Sequence, residues 1–266
     1  MASQTVQPRL PAFLCVGAQK AGTTTLHALL GGHSEIFLPL CKEVHYFSVH
    51  YAKGLDWYSS CFRGAEDGLC IGEITPYYLF HPFAAERIVN DLGKIRIIIL
   101  LRDPVERTIS HYRHACRLGF EQLSLEQALA AESSRLDGAN VILRRSDGLH
   151  KHHQECSYLS RSLYQVQVER YWKCFGRQNV LVVPSESLFD DPWKILQGIY
   201  RFLGLSIPPM PDISTLNTRK NKNHLESRTI LCDRLLLKLR TELDGSYSFA
   251  IRELGWSRSL AWHWSV

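Results

Sequence analysis

The sequence predicts an α/β fold: a central parallel sheet flanked by helices on both faces. Three observations carry this expectation. Apolar runs at Phe13–Val16, Leu69–Glu73, Ile95–Leu101 and Val180–Val183 alternate with longer helical patterns, and a weaker run lies near Ile36–Leu38. The runs are nearly continuous in apolar character, as strands buried on both faces must be. The stretches between them are long enough for the crossover helices that parallel strands require.

The elements follow in order. A Gly-rich turn after Phe13–Val16 leads into a helix over Thr23–Leu30, and helical patterns recur at Leu55–Phe62 and Pro82–Leu92. The helix over Pro104–Arg117 has the best-marked start, with Asp103 as cap, Pro104 at the first position and Glu106 at the third. Leu125–Glu132, Arg161–Phe175, Pro192–Leu203 and Arg228–Leu243 complete the set. No repeat or low-complexity linker divides the 266 residues, which read as one domain, 1–266, with a flexible polar N-terminus over 1–11.

Composition narrows the function. Hydrophobic residues make up 45% and charged residues 21%, the balance of a globular protein rather than a disordered one. A net charge of +5 suits an anionic ligand but is too weak to argue for nucleic acid. No stretch approaches the roughly 18 apolar residues of a membrane span. The N-terminus lacks an apolar secretory core, and there is no Asn-x-Ser/Thr sequon. Eight cysteines occur without a Cys-x-x-Cys pair, which predicts free thiols in a reducing compartment, a cytoplasmic location and no metal centre. The cluster His150-Lys151-His152-His153 reads as a solvated loop rather than a metal site. The oligomeric state is not readable.

The strand–turn–helix at Phe13–Leu30 aims backbone N–H groups at a bound phosphate. Gly17 and Gly22 are spaced as in a nucleotide P-loop, but the lysine falls inside the turn, at Lys20, and Thr23 stands where the P-loop lysine belongs. Arg102 ends the run Ile95–Leu101, and Ser110 lies about two helical turns into the next helix, on the same face as Asp103. Two readings of Arg102 stand: a ligand for a second phosphate, or a local partner of Asp103 or Glu106. The segment 206–227 is a long polar loop, and its cations Arg219, Lys220 and Lys222 could close over an anion.

Taken together, these segments resemble the sulfotransferases that use 3′-phosphoadenosine 5′-phosphosulfate (PAPS). Gly17-Ala18-Gln19-Lys20-Ala21-Gly22-Thr23-Thr24 is similar to their 5′-phosphosulfate loop, and Arg102 to Arg107 with Ser110 to their 3′-phosphate element. Lys42-Glu43-Val44-His45-Tyr46-Phe47, Gly54 to Tyr58, Arg161-Ser162-Leu163-Tyr164 and Arg201 to Leu205 resemble heparan sulfate 3-O- and N-sulfotransferase domains. The resemblance implies a P-loop-like sulfotransferase fold and sulfuryl transfer to a hydroxyl, less readily an amine, of a carbohydrate or other small acceptor. It implies no need for a metal, because a sulfuryl group carries less charge than a terminal phosphoryl group.

Site roles follow from the same resemblance. Gln19, Lys20, Ala21, Gly22, Thr23, Thr24 and Thr25 hold the 5′-phosphosulfate, with Lys20 stabilising the leaving adenosine 3′,5′-bisphosphate. Arg102 and Ser110 hold the 3′-phosphate. Glu43 is the general base and His45, on the same side of an extended segment, orients it or meets the acceptor together with Thr75 and Tyr77. Tyr46, Tyr51, Trp57, Tyr77 and Tyr78 suit stacking on a sugar. The chain departs from the heparan enzymes at Thr25, at Ile74 in Glu73-Ile74-Thr75, at Ser48 in place of an acid, and in a C-terminal loop without cysteine. The expected acceptor is therefore a saccharide or glycoconjugate other than heparan, and the expected type is a soluble bacterial one. Two alternatives remain open: a P-loop kinase-like phosphotransferase, which would need a Gly-Lys-Ser/Thr run, and a non-catalytic module for nucleotides or sulfated glycans.

Overall fold

A computed structural model describes residues 9–210 and 233–256. Five strands form the sheet: β1 (Phe13–Gly17), β2 (Ile36–Phe37), β3 (Cys70–Ile74), β4 (Arg96–Leu101) and β5 (Val180–Pro184). Their order is β2-β3-β1-β4-β5, and every pairing is parallel. Phe13 faces Gly72 on one side of β1 and Arg96 on the other. β1 is buried throughout and β4 from Ile97 onward, which explains their unbroken apolar character. The expected strands all form, shifted by one residue at some ends, while β2 shrinks to two residues.

Twelve α-helices are described. They are α1 (Thr23–Leu30), α2 (Gly54–Ser60), α3 (Ala84–Leu92), α4 (Pro104–Arg117), α5 (Leu125–Leu136), α6 (Ala139–Arg144), α7 (Lys151–Glu155), α8 (Tyr164–Phe175), α9 (Ser185–Asp190), α10 (Pro192–Leu203), α11 (Asp233–Glu242) and α12 (Asp244–Glu253). Helix α8 packs on α3, β4 and β5, and α12 closes over α8. One continuous apolar core joins the strands to these helices. Four helices, α6, α7, α9 and α12, were not expected from the sequence. Of the expected helix over Arg228–Leu243, the part before Asp233 lies outside the described residues, as do Arg219, Lys220 and Lys222. Arg161 sits in a short 3-10 turn, Ser160–Ser162, ahead of α8 rather than inside it.

The strand order sets the site. The chain leaves β1 toward β3 and β2 but leaves β4 toward β5, so the crevice between the carboxyl ends of β1 and β4 is a topological switch point, the usual ligand position of an open α/β sheet. Gly72 lets β3 approach the amino end of β1: a Cβ on it would lie 2.1 Å from the Phe13 ring. The seven described cysteines are all free thiols. Among the described residues no helix is long and apolar enough to cross a membrane.

Candidate active site

The turn between β1 and α1 ends at Gly22, which takes a left-handed conformation (φ 90°) as the N-cap of α1. No side chain caps this helix, and its first turn holds no acid. Helices α4, α5 and α10, by contrast, are capped by Asp103, Ser124 and Asp191. The leading N–H groups of α1 have no intrahelical acceptor, so the sequence has left an anion seat at the switch point. Helix α9 buttresses it: the Ser185 hydroxyl donates to the Ala21 carbonyl at 2.8 Å, and the Phe189 ring would lie 3.0 Å from a Cβ on Gly22.

Lys20 occupies the same turn with φ 72°, a conformation uncommon for a residue bearing a Cβ. Burial, then the positive charges of Arg117, Arg102 and Arg107, pushes its ammonium down to about 8, with Glu43 opposing. Arg102 has the local partner that one of its two readings expected. Its guanidinium donates to Glu106 Oε2 at 3.3 Å and to the Lys20 carbonyl at 3.3 Å, stitching the tip of β4 to the β1 turn. Ser110 is half-buried on α4, and Thr24 and Thr25 lie at the open start of α1.

The segment between β2 and α2 brings in Glu43 and His45. The sequence suggests an extended strand here, but Glu43 (φ 65°) and His45 (φ 58°) are both left-handed, and the chain curls instead. The curl still pairs them, with His45 Nε2 3.6 Å from Glu43 Oε2, while Lys42 Nζ bonds Glu43 Oε1. Burial alone would raise the Glu43 carboxyl; hydrogen bonds from His45 and Lys42 outweigh it and hold the group down at about 2. Ser48, which stands where an acid was expected, has its hydroxyl 3.2 Å from His45 Nδ1 and so fixes the ring.

Thr75 does not reach the acceptor side. It is fully buried, accepts the His45 backbone N–H at 3.4 Å and donates to Glu73. Glu73 also takes hydroxyl bonds from Tyr58 (2.5 Å) and Tyr78 (3.1 Å), so a buried carboxylate anchors the segment that carries His45. Of the five aromatic side chains proposed for stacking, Tyr77 alone lines the cavity described below. Tyr46 is stacked on Tyr58 at 4.4 Å, and Tyr78 is wholly buried.

A cavity of about 200 Å³ opens beside Glu43 and His45, with Gln19, Tyr77, Phe120 and Glu155 among its walls. Its floor rests on Arg161, which is fully buried. That guanidinium donates to the Gln19 side-chain oxygen, to Ser157 Oγ (3.2 Å) and to the carbonyls of His153 (2.8 Å) and Gln154 (2.7 Å). The segment around His150–His153 is thus no solvated loop. It forms α7, with His153 buried and its Nδ1 2.8 Å from the Tyr77 hydroxyl. Among the described residues no group of His, Cys, Asp or Glu side chains is placed to hold a metal ion. Gln154 and Glu155 escaped the sequence reading because five residues of α7 are too few to show a helical period, and Arg161 was named there without a place in the site. The one available signal was the clustering of Arg161, Ser162 and Tyr164 next to that polar segment.

Comparison with known proteins agrees with this geometry. A family model described as "Sulfotransferase domain" matches residues 10–229. A Dictyostelium discoideum membrane-associated sulfotransferase, kil1, is 42% identical over 106 residues, 39% of this chain and 22% of its own length. The human bifunctional heparan sulfate N-deacetylase/N-sulfotransferase 3 is 28% identical over 205 residues, 74% of this chain and 22% of its own. The chain thus spans about a fifth of the length of these curated relatives. A solved sulfotransferase from Alicyclobacillus acidocaldarius superposes with a TM-score of 0.77 at 27% identity, covering 95% of this chain and 99% of that one. Mouse SULT7A1, solved with PAP, shares the fold at 14% identity and a TM-score of 0.55. With a family match over most of its length, the same sheet and an anion seat at the switch point, this chain belongs to the sulfotransferase domain family.

Proposed function

We propose that the protein transfers a sulfuryl group from PAPS to a hydroxyl of a carbohydrate or other small acceptor. One observation carries this reading: Lys20, in left-handed backbone beside an uncapped helix N-terminus, is near enough to Glu43, also left-handed, for the carboxylate to favour its charge. A pure binding module has no use for a base at that point. A kinase-like reading would want a lysine after Gly22, where Thr23 stands.

The residues present suit the donor. The N–H groups opening α1, with Lys20 and Gln19, would hold the 5′-phosphosulfate, and Arg102 with Ser110 the 3′-phosphate. When bound, PAPS supplies an activated sulfuryl group with adenosine 3′,5′-bisphosphate as its leaving group. Lys20 places its positive charge where negative charge gathers on the leaving oxygen. Glu43 receives the proton of the acceptor hydroxyl, and His45, steadied by Ser48, keeps the carboxylate aimed. A carboxyl held near 2 is ionised at any working pH but is a weak base.

The test is a melting comparison with adenosine 3′,5′-bisphosphate and Mg-ATP, followed by turnover of variants. The bisphosphate should stabilise the protein by roughly 2.7 kcal/mol at a hundredfold excess over its Kd. Lys20→Ala and Glu43→Gln should each abolish transfer, the second with bisphosphate binding nearly intact. Stabilisation by Mg-ATP alone sinks the donor assignment, and wild-type turnover in Glu43→Gln sinks the base.

A further inference from the structure

The cavity beside Glu43 has an unusual balance of charge for an enzyme whose curated relatives include heparan sulfate modifiers. A polyanionic chain needs free cations along its path. Among the described residues the one Lys or Arg side chain lining this cavity is Arg161, and four of its five N–H donors are already bound to Gln19, Ser157, His153 and Gln154. His114, also in the wall, is pushed down to about 4 by burial and by Lys20 and Arg117, so it is neutral at pH 7. Its Nδ1 accepts from Arg117 at 2.8 Å, which leaves the hydrogen on the other ring nitrogen.

What the wall does offer is a second carboxylate. Glu155, at the end of α7, is half-buried in the cavity wall; burial pushes its carboxyl up, with the charges of Arg161, His45 and Lys151 opposing and that of Glu43 adding. Among the described residues no hydrogen bond or ion pair engages its carboxylate. Leu118, Phe120 and Tyr77 supply apolar and aromatic walls beside it. The volume, about 200 Å³, is some seven times the share of one water in the liquid, room for one ring-sized unit.

We propose that this cavity is a charge-selective acceptor subsite, in which Glu155 receives an ammonium or neutral donor group of a single amino-bearing or neutral polyhydroxyl unit and turns away uronates and sulfated units. The inference rests on the sulfuryl-transfer reading above, with Glu43 as the base on the same unit. An acceptor ammonium on Glu155 satisfies a carboxylate that has no partner among the described residues, whereas an acceptor carboxylate there meets Glu155 with no free guanidinium among them, Lys42 being taken up by Glu43. In the transfer the acceptor oxygen bonds sulfur as the bond from sulfur to the bridging phosphate oxygen breaks. That electron pair stays on the bisphosphate, and the hydroxyl proton passes to Glu43.

The test uses three sugars of one frame that differ in charge: glucosamine, glucose and glucuronate. Their binding to the protein saturated with adenosine 3′,5′-bisphosphate is followed by saturation-transfer NMR and competition. Glucosamine should bind at least tenfold more tightly than glucuronate, with glucose between them. Glu155→Gln should erase the preference for glucosamine over glucose, and Glu155→Lys should turn it toward glucuronate. The bisphosphate melting shift, unchanged in both variants, certifies that they fold. Equal or reversed affinities in the wild type, no binding of any of the three, or a preference that survives Glu155→Gln overturns the proposal. Failure of the bisphosphate to stabilise the protein, with the sugar preference intact, would instead remove the donor reading and leave the subsite standing.

Discussion

At Lys20, burial and the neighbouring arginines hold the ammonium at about 8, below its ordinary 10.5, in a backbone conformation suited to glycine. Below pH 8 the folded protein carries this charge in a place that disfavours it, while the unfolded chain carries it freely. The penalty is full there and fades as pH rises from about 8 toward 10.5. Lys20→Gly removes both charge and strain, and should stabilise the free protein at pH 7 by about 1–2 kcal/mol after allowance for solvent screening. That is a rise in Tm of roughly 2–4 °C per kcal/mol, shrinking by pH 10, with transfer lost. Wild-type affinity for the bisphosphate should weaken above about pH 8, as titration calorimetry across pH would show. Glu43 works in the opposite sense: its stabilising contribution is present above about 4.5 and is lost as pH falls through about 2. Lys20 and Glu43 were both legible from residue types and neighbours. Their left-handed backbones were not, because Lys and Glu carry no local preference for that region.

Helix α4 shows what an element can declare about itself. Asp103 accepts the Glu106 N–H at 2.8 Å, Pro104 opens the helix, and the observed span Pro104–Arg117 matches the expected one. The second oxygen of Asp103 takes the Tyr247 hydroxyl at 2.9 Å, a contact from α12 that the sequence did not announce. Asp103→Ala should cost about 1–2 kcal/mol in denaturant unfolding, and Asp103→Asn clearly less, since the amide oxygen still caps. Because α4 follows Arg102 and carries Ser110, the alanine variant should also bind the bisphosphate more weakly. Helix α9 is the opposite case. Ser185–Asp190 has no side-chain cap, and its place is set by the bond from Ser185 to Ala21 and by Phe189 against Gly22. Such a helix exists through its tertiary contacts, so local signals do not reveal it.

In the molecule as a whole, the seating of β1 depends on how closely it approaches β3. The Phe13 ring lies over Gly72 so tightly that one methyl group has no room. Gly72→Ala should therefore displace β1, at a cost of about 1–3 kcal/mol in thermal or denaturant melts. Because β1 delivers the turn with Lys20, bisphosphate affinity should fall as well, although residue 72 lies outside the site. A melt unchanged from wild type would show that the ring moves aside without strain.

The sequence by itself determined the strands, the helices with Asp-Pro starts and the strand–turn–helix form of the β1 turn, since each follows from contiguous residues: apolar runs, a cap followed by proline, two glycines around a lysine. It also marked Arg102 and Glu43, whose neighbours in the chain resemble known site segments. Tertiary structure decided the rest. It put Arg102 on the Lys20 carbonyl, turned Thr75 inward beneath His45, and converted the histidine cluster into a helix end that brings Glu155 to the cavity. Those placements join residues 30 to 140 positions apart, held by burial and by hydrogen bonds such as that of Arg161 to Gln19, and no local pattern encodes such a pairing.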